Sequence, residues 1–267
     1  MEIKTIKPSP LLEKYILFYY ELELNNDTYY AYPSDCNVVC LFEDADVTYS
    51  SNEIKITKTT SSTNSFSALN KFTSPLFVNN KGIVKEFVII FKAFGLSQFI
   101  TKNYNGIPFF KIEEFDDFFN KNDTFFQKTE TAKIKIIEDF LLTKLNEKKD
   151  LKIIIKSISL MDNNELTIHE IAKTCNCSYK KLYRLFLAHC GTTPSVLRKN
   201  IKFRNSIKKI KSKDSYFKIS DIALDLGFYD QAFFNKMFKK LSGETPKQFL
   251  KDVSVLSKKE IYFKNIE

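Results

Sequence analysis

Ile219-Ser-Asp-Ile-Ala223, Asp230-Gln-Ala-Phe-Phe-Asn-Lys-Met-Phe238 and Gly243-Glu-Thr-Pro246 follow one another in the last quarter of the sequence, and each piece has an earlier counterpart. The counterparts are Ile168-His-Glu-Ile-Ala172, Ser178-Tyr-Lys-Lys-Leu-Tyr-Arg-Leu-Phe186 and Gly191-Thr-Thr-Pro194. The early positions recur at a spacing of 51 (Ile168/Ile219, Ala172/Ala223) and the later ones at 52 (Phe186/Phe238, Gly191/Gly243, Pro194/Pro246). So many matches in one order, with one residue inserted in the turn between, describe a single supersecondary unit built twice.

Each unit has the pattern of a helix-turn-helix. Thr167-x-x-Glu170 is a capping box that starts a helix at Ile168. Ala172 is small where a second helix must cross closely, and Ser178 can cap that second helix. Within it, Leu182, Leu185, Phe186 and His189 fall at helical spacing and form the inward stripe. The second unit has Asp230 as cap and Phe234, Met237, Phe238 and Leu241 as stripe, but a weaker first helix start, since Lys218 stands where Thr167 stood. Gly227 and Asn176 occupy the two turns, where a left-handed backbone is easiest for Gly and tolerable for Asn. Opposite the stripes lie Lys180, Tyr183 and Arg184 in the first unit and Gln231, Ala232, Asn235 and Lys236 in the second. These are the candidates for contact with base edges. Ser178, Thr193, Asp230, Lys239, Thr245 and Lys247, at or beside helix starts and on the outer face, are the candidates for phosphate contact.

Charge points to the same partner. From Glu165 onward there are 21 Lys/Arg and 10 Asp/Glu, a net of +11, against −2 for residues 1–164. The whole positive excess therefore lies with the repeated motif, the asymmetry expected when one domain binds double-stranded DNA. Between the units, Thr193-Pro194 is a cap followed by Pro at the first helical position, and apolar residues keep helical spacing to about Lys211. Eighteen residues at about 1.5 Å each make a rod of roughly 27 Å. Successive major-groove faces lie roughly 34 Å apart, so such a rod can present two helices to one side of a duplex.

Residues from about 161 to 251 resemble the AraC-family DNA-binding domain. The resemblance is carried by Ile222-Ala, Gly227-Phe228, the polar pair Asp230-Gln231, Phe233-Phe-Asn-Lys-Met-Phe-Lys-Lys240, Gly243 and Thr245-Pro246. It implies two helix-turn-helix units joined by a long helix, and a transcription regulator, more often an activator working with RNA polymerase. Lys236 stands where the family usually has Arg, Phe233 where Tyr is usual, and Asn176-Cys177 where a hydrophobic turn is common. Lys in place of Arg removes the planar fork for a bidentate guanine contact at that position.

The remaining residues, about 160, suffice for a second domain with its own core. Val38–Phe42, Glu53–Thr60 and Glu86–Phe94 are β-like runs separated by polar stretches. Leu11–Glu23 is apolar and aromatic, Leu96–Lys102 reads as a short helix, and Leu151–Leu160 continues helical. Thr131–Asn146 is an amphipathic helix with Ile134, Ile137, Leu141 and Leu145 on one face, which either docks on its own domain or pairs with a second subunit in a homodimer. The fold expected is an α+β N-terminal domain, with a small antiparallel sheet or barrel plus helices, followed by an all-α C-terminal domain. The boundaries expected are 1–160, 161–255 and a tail of 256–267. Pro10–Tyr20, Tyr32–Cys36 and Val88–Leu96 also resemble the sensory half of one AraC-family subgroup of unassigned ligand.

Catalytic and metal readings find little support. Both histidines, His169 and His189, lie in the repeated part, so none is at hand in residues 1–168 for a metal site or a nucleophile pair. Cys36 and Cys40 would share one strand face as buried small residues. Five cysteines in no framework spacing fit reduced thiols in a cytoplasm. No run reaches the 18 or so apolar residues that span a bilayer, and no cofactor is implied. What remains for the aromatic-rich N-terminal part is a pocket for a neutral or aromatic small organic effector. The competing readings are a DNA-binding module fused to an enzymatic or repair domain, and a DNA-binding assembly factor that senses nothing.

Overall fold

Strand alternation decides the N-terminal architecture. In Ile83–Phe91, Val84, Glu86, Val88 and Ile90 point to one side, and Phe87, Ile89 and Phe91 to the other. Both sides are buried, so this strand must sit between two layers. The computed structural model, which describes residues 3–50, 52–61, 64–162, 165–212, 218–252, 254–255 and 262–266, shows what those layers are. One is a second sheet. The other is a set of helices.

The strands in chain order are β1 (Ile16–Asn25), β2 (Thr28–Ala31), β3 (Asn37–Phe42), β4 (Ala45–Ser50), β5 (Glu53–Lys58), β6 (Ser65–Leu69), β7 (Leu76–Lys81), β8 (Ile83–Phe91), β9 (Phe109–Lys111), β10 (Ser254–Val255) and β11 (Tyr262–Asn265). The first sheet is antiparallel throughout, in the order β1-β8-β3-β6-β9. The second runs β10-β11-β2-β7-β5-β4 and contains one parallel pair, β5 with β7. Phe18, Tyr20 and Leu24 of β1 join Cys40 and Phe42 of β3 and Val84, Val88 and Ile90 of β8 in the core between the sheets. Tyr19, Val39, Leu41, Phe87 and Ile89 form the opposite face, which packs on the helices.

The helices are α1 (Asp117–Lys121), α2 (Glu130–Lys144), α3 (Leu151–Ser159), α4 (Ile168–Thr174), α5 (Tyr179–Cys190), α6 (Pro194–Ser212), α7 (Ile219–Asp225), α8 (Gln231–Ser242) and α9 (Pro246–Asp252). The expected α+β domain followed by two helix-turn-helix units and a long connecting helix is what the chain forms. Several local expectations change. There are two sheets, not one, and Leu11–Glu23 supplies the long strand β1. Leu96–Lys102 forms only a single 3-10 turn at Leu96–Gln98. In the acidic stretch that starts at Glu113, the Glu114 carboxylate accepts the backbone amides of Thr101 and Lys102. The tail also folds back: β11 pairs with β2, Phe263 opposite Ala31, and covers an edge that would otherwise invite other strands.

The apolar stripe of α2 turns inward. Ile137 and Leu141 are fully buried in the core of their own domain, and Ile134 and Leu145 pack against it. Burial against the first sheet therefore occupies the face that was a candidate for pairing with a second subunit.

The N-terminal domain grips the end of α5. Gly191, its left-handed cap at φ 64°, lies so close to Tyr104 that a Cβ there would be 2.2 Å from the ring. Asn70 donates to the Gly191 carbonyl at 2.9 Å, and the buried Lys71 ammonium donates to Cys190 O at 3.0 Å and Ala93 O at 2.6 Å. Cations belong at helix C-termini, and here burial strengthens the pairing while lowering the Lys71 pKa to about 8. Asn200 of α6 donates to Ser34 O and Phe72 O, and Tyr32 meets Phe249 of α9 edge-on at 4.8 Å. Gly191→Ala combines a left-handed backbone penalty with overpacking against Tyr104. It is expected to lower stability by about 2–4 kcal/mol. At Gly243 (φ 81°) a Cβ would meet only Pro75 at 3.5 Å, an ordinary contact. Gly243→Ala should lose only the backbone part, about 1–2 kcal/mol. Urea unfolding of both variants checks the difference.

Candidate nucleic-acid interface and effector cavity

The caps start the helices as their residue types require. Thr167 Oγ1 accepts the Glu170 amide while Glu170 accepts the Thr167 amide, a complete capping box. Ser178 accepts the Lys181 amide and Asp230 the Phe233 amide. Lys218 gives α7 no side-chain cap, the weaker start expected of it. Asn176 (φ 52°) and Gly227 (φ 70°) make the left-handed turns. Leu182, Phe186 and His189 of α5, and Phe234, Phe238 and Leu241 of α8, are buried. The opposite faces consequently stand in solvent. Lys180, Tyr183 and Arg184 are exposed on α5, and Gln231, Ala232 and Lys236 on α8. Asn235 is half-buried, and its Oδ1 is shielded from solvent with no hydrogen-bond partner.

The phosphate candidates separate into two kinds. Ser178, Thr193, Asp230 and Thr245 are engaged as caps, Thr193 to Val196 N at 3.3 Å and Thr245 to Gln248 N at 3.4 Å. A carboxylate has no proton to donate, so Asp230 orients α8 and does not itself hold phosphate. Lys239 and Lys247 are exposed cations on the second unit. Among groups not singled out from sequence, His169 stacks on Tyr179 at 4.3 Å, nearly parallel, and fixes the start of α5 beside the exposed Tyr183. His189 is structural. It bridges Gln98 and the Lys149 carbonyl, and burial lowers its pKa. The side chain of Lys211 lies outside the described residues.

α6 joins the units as one unbroken helix of 19 residues, about 28 Å long at about 1.5 Å per residue. Its inner face also reaches the N-terminal domain. Between the two sheets is a cavity of about 510 Å³, lined mostly by apolar side chains such as Phe18, Tyr20, Tyr29 and Val78, with Arg204 and Lys208 of α6 in its wall. Cys36 and Cys40 both line it, although Cys36 lies just before β3, so the two do not share the strand face that was expected. Burial raises both thiols, Cys36 to about 12, so they act as apolar lining and not as nucleophiles. Arg204 falls at helical spacing with Ile201, Ile207 and Ile210 on the inner row of α6, whereas nothing in the sequence separates Lys208 from the other lysines of that helix. Glu86 also lines the cavity while only 6% exposed. Its signal was present: one acid on the otherwise apolar alternating face Val84-x-Glu86-x-Val88-x-Ile90. Burial lifts its pKa to about 7, with the Cys40 thiol opposing.

Among the described residues there is no group of three His, Cys, Asp or Glu able to hold a metal, and no helix is long and apolar enough to cross a membrane.

Two measurements check this geometry. Arg184→Ala should weaken binding to a cognate site by about 1–3 kcal/mol and relax one base position, while Lys247→Ala should weaken all DNA alike and make the salt slope shallower by about one unit. Fluorescence anisotropy across a salt series separates the two. Glu86 binds its proton more tightly when folded, so the stability it contributes is complete below about pH 4.5 and is lost as pH rises through about 7. Glu86→Gln should therefore gain on the parent chain by up to about 3 kcal/mol between acid and mildly alkaline pH, as read by denaturant unfolding at each pH.

A family model described as a helix-turn-helix domain matches residues 171–252. The raffinose operon transcriptional regulatory protein RafR of Pediococcus pentosaceus is 27% identical over 89 residues, 33% of this chain and 31% of that protein. An uncharacterized HTH-type transcriptional regulator of Haemophilus influenzae is 26% identical over 120 residues, 45% of this chain and 39% of that protein. The chain thus aligns with less than half the length of either. Among solved structures, ToxT of Vibrio cholerae is 13% identical, with 87% of this chain and 97% of that one covered at a TM-score of 0.48. Two capped units of matching layout, the long helix between them and the family match over the same residues identify this C-terminal part as an AraC-type helix-turn-helix domain.

Proposed function

We propose that the chain is a sequence-specific, DNA-binding transcription regulator that acts in the cytoplasm and answers to a small molecule held in its N-terminal domain. One observation carries the DNA half of this reading. Two N-capped helices, α5 and α8, expose polar and basic faces from the two units that α6 joins, in the part of the chain that holds all the excess positive charge. Helices of this kind enter major grooves, and the joining rod is of the length that two successive grooves require. The AraC-type domain favours an activator that contacts RNA polymerase, and a homodimer would extend the operator. Burial of Ile137 and Leu141 speaks against the α2 stripe as the pairing face.

The cavity supports the sensing half. It is apolar, closed on two sides by sheets, and has a few polar groups in its wall. Arg204 and Lys208 come from α6, so a bound molecule touches the helix that spaces the reading heads. An effector with an apolar or aromatic body and an acidic group would suit these cations. It changes DNA affinity only to the extent that it prefers one arrangement of that helix.

Full-length protein titrated onto labelled DNA from upstream of its own gene should give a complex that survives a large excess of random competitor. Competition by random DNA at equal mass would contradict sequence reading. Repeating the titration with compounds that raise the melting temperature should shift operator affinity, and hits that leave it unchanged would remove the sensing role.

A further inference from the structure

The cavity wall carries four charged side chains: Arg204 and Lys208 of α6, Asp35, and Glu86. Glu86 is 6% exposed, stands on the inner face of β8 and lines the cavity. Its register partners are Leu22 of β1 and Phe42 of β3, both apolar. The polar groups that face it are the Cys40 thiol from β3 and the hydroxyls of Tyr20 from β1 and Tyr29 from β2. Among the described residues no Lys, Arg or His forms an ion pair with it, and burial alone lifts its pKa. A carboxyl so placed weakens the empty fold at neutral pH and has no partner of matching strength within it.

Arg204 acts at the residue that immediately precedes β3. It lies close enough to Cys36 to favour that thiolate, while Glu86 lies beside Cys40. The two cysteines are four residues apart, about 13 Å at about 3.3 Å per residue. The cavity is thus mostly apolar, with Arg204 and Asp35 close to Cys36, Lys208 one turn along α6 from Arg204, and Glu86 beside Cys40.

We propose that Glu86 is a ligand-binding residue that selects an elongated effector with two unlike ends: an acid at Arg204 and Lys208, and a hydrogen-bond donor, ammonium or hydroxyl, at Glu86. This rests on the reading of the cavity as an effector site and adds to it the chemistry of the inner end. A donor there satisfies the buried carboxylate, and an ammonium also neutralises it, so a charge-assisted bond forms where water is excluded. An unsubstituted chain end would leave the carboxylate facing hydrocarbon.

The test uses the full chain and three probes of one length, decanoic, 10-hydroxydecanoic and 10-aminodecanoic acid, titrated calorimetrically at mildly alkaline pH. The amino and hydroxy acids are expected to bind at least about tenfold more tightly than decanoic acid. Glu86→Gln should abolish the preference for the amine and keep part of that for the hydroxyl, since an amide oxygen still accepts. Glu86→Leu should abolish both while decanoic acid binds as well or better. Both substitutions remove a buried charge, and their melting curves verify the fold. If the three acids bind the parent chain equally, the cavity reading stands and the role of Glu86 is overturned. If the preference survives Glu86→Leu, the donor meets another group and the proposal fails. If none of the three binds, the cavity reading fails together with it.

Discussion

The end of α5 is held by a buried cation, and the arrangement of the two domains depends on that contact. Lys71 reaches from the end of β6 to the Cys190 carbonyl, and Asn70 beside it reaches Gly191. A helix ends with carbonyls that lack partners, and a desolvated ammonium is the strongest donor that could meet them. The geometry requires Gly at position 191, both for its left-handed backbone and for the Tyr104 ring against it. The first reading helix is consequently not a free module on a tether. It is seated on the domain that contains the cavity, and Asn200 and Phe249 seat α6 and α9 on the same domain.

Under the proposed sensing role, that seating would be the mechanical route from the cavity to DNA. The cavity wall is shared between strands and α6, and α6 sets the separation of α5 and α8. A molecule that pulls on Arg204 and Lys208 acts on the spacer itself. The tail adds a second tie: Phe263 lies in the cavity wall, and Lys264 of the same strand pairs with Glu244 in the turn before α9 at 2.5 Å. Strand, spacer and second unit are therefore linked around one apolar space.

Much of this was legible in the residues. The duplicated motif located both helix-turn-helix units, because caps, turn glycines and helical stripes are local signals that tertiary context had no reason to override. Pro194 and the spacing after it marked α6. The N-terminal domain was harder, since both faces of β1, β3 and β8 are buried and no simple alternation of apolar with polar residues announces such strands. Leu11–Glu23 illustrates this: its aromatics serve two cores at once, so its period cannot be seen from composition. The α2 stripe had two possible covers, and only the sheet's location decides between them. Glu86 stood out only once its strand and face were known. Arg204 shared the helical row of Ile201 and Ile207, but Lys208 could not have been told from the lysines around it.

The central claim is that α6 is a rigid spacer that delivers two reading heads to one side of a duplex. The most direct measurement is affinity for an operator whose two recognised segments are moved apart by half a helical turn, about five base pairs. A rigid spacer cannot follow that rotation, so affinity should fall to near the level of a single segment and return when a full turn is inserted only if the chain can stretch, which it cannot. Loss of affinity at both insertions is the result predicted here. Equal affinity for the original and the half-turn operator would contradict it, and would mean that the two units bind as independent modules.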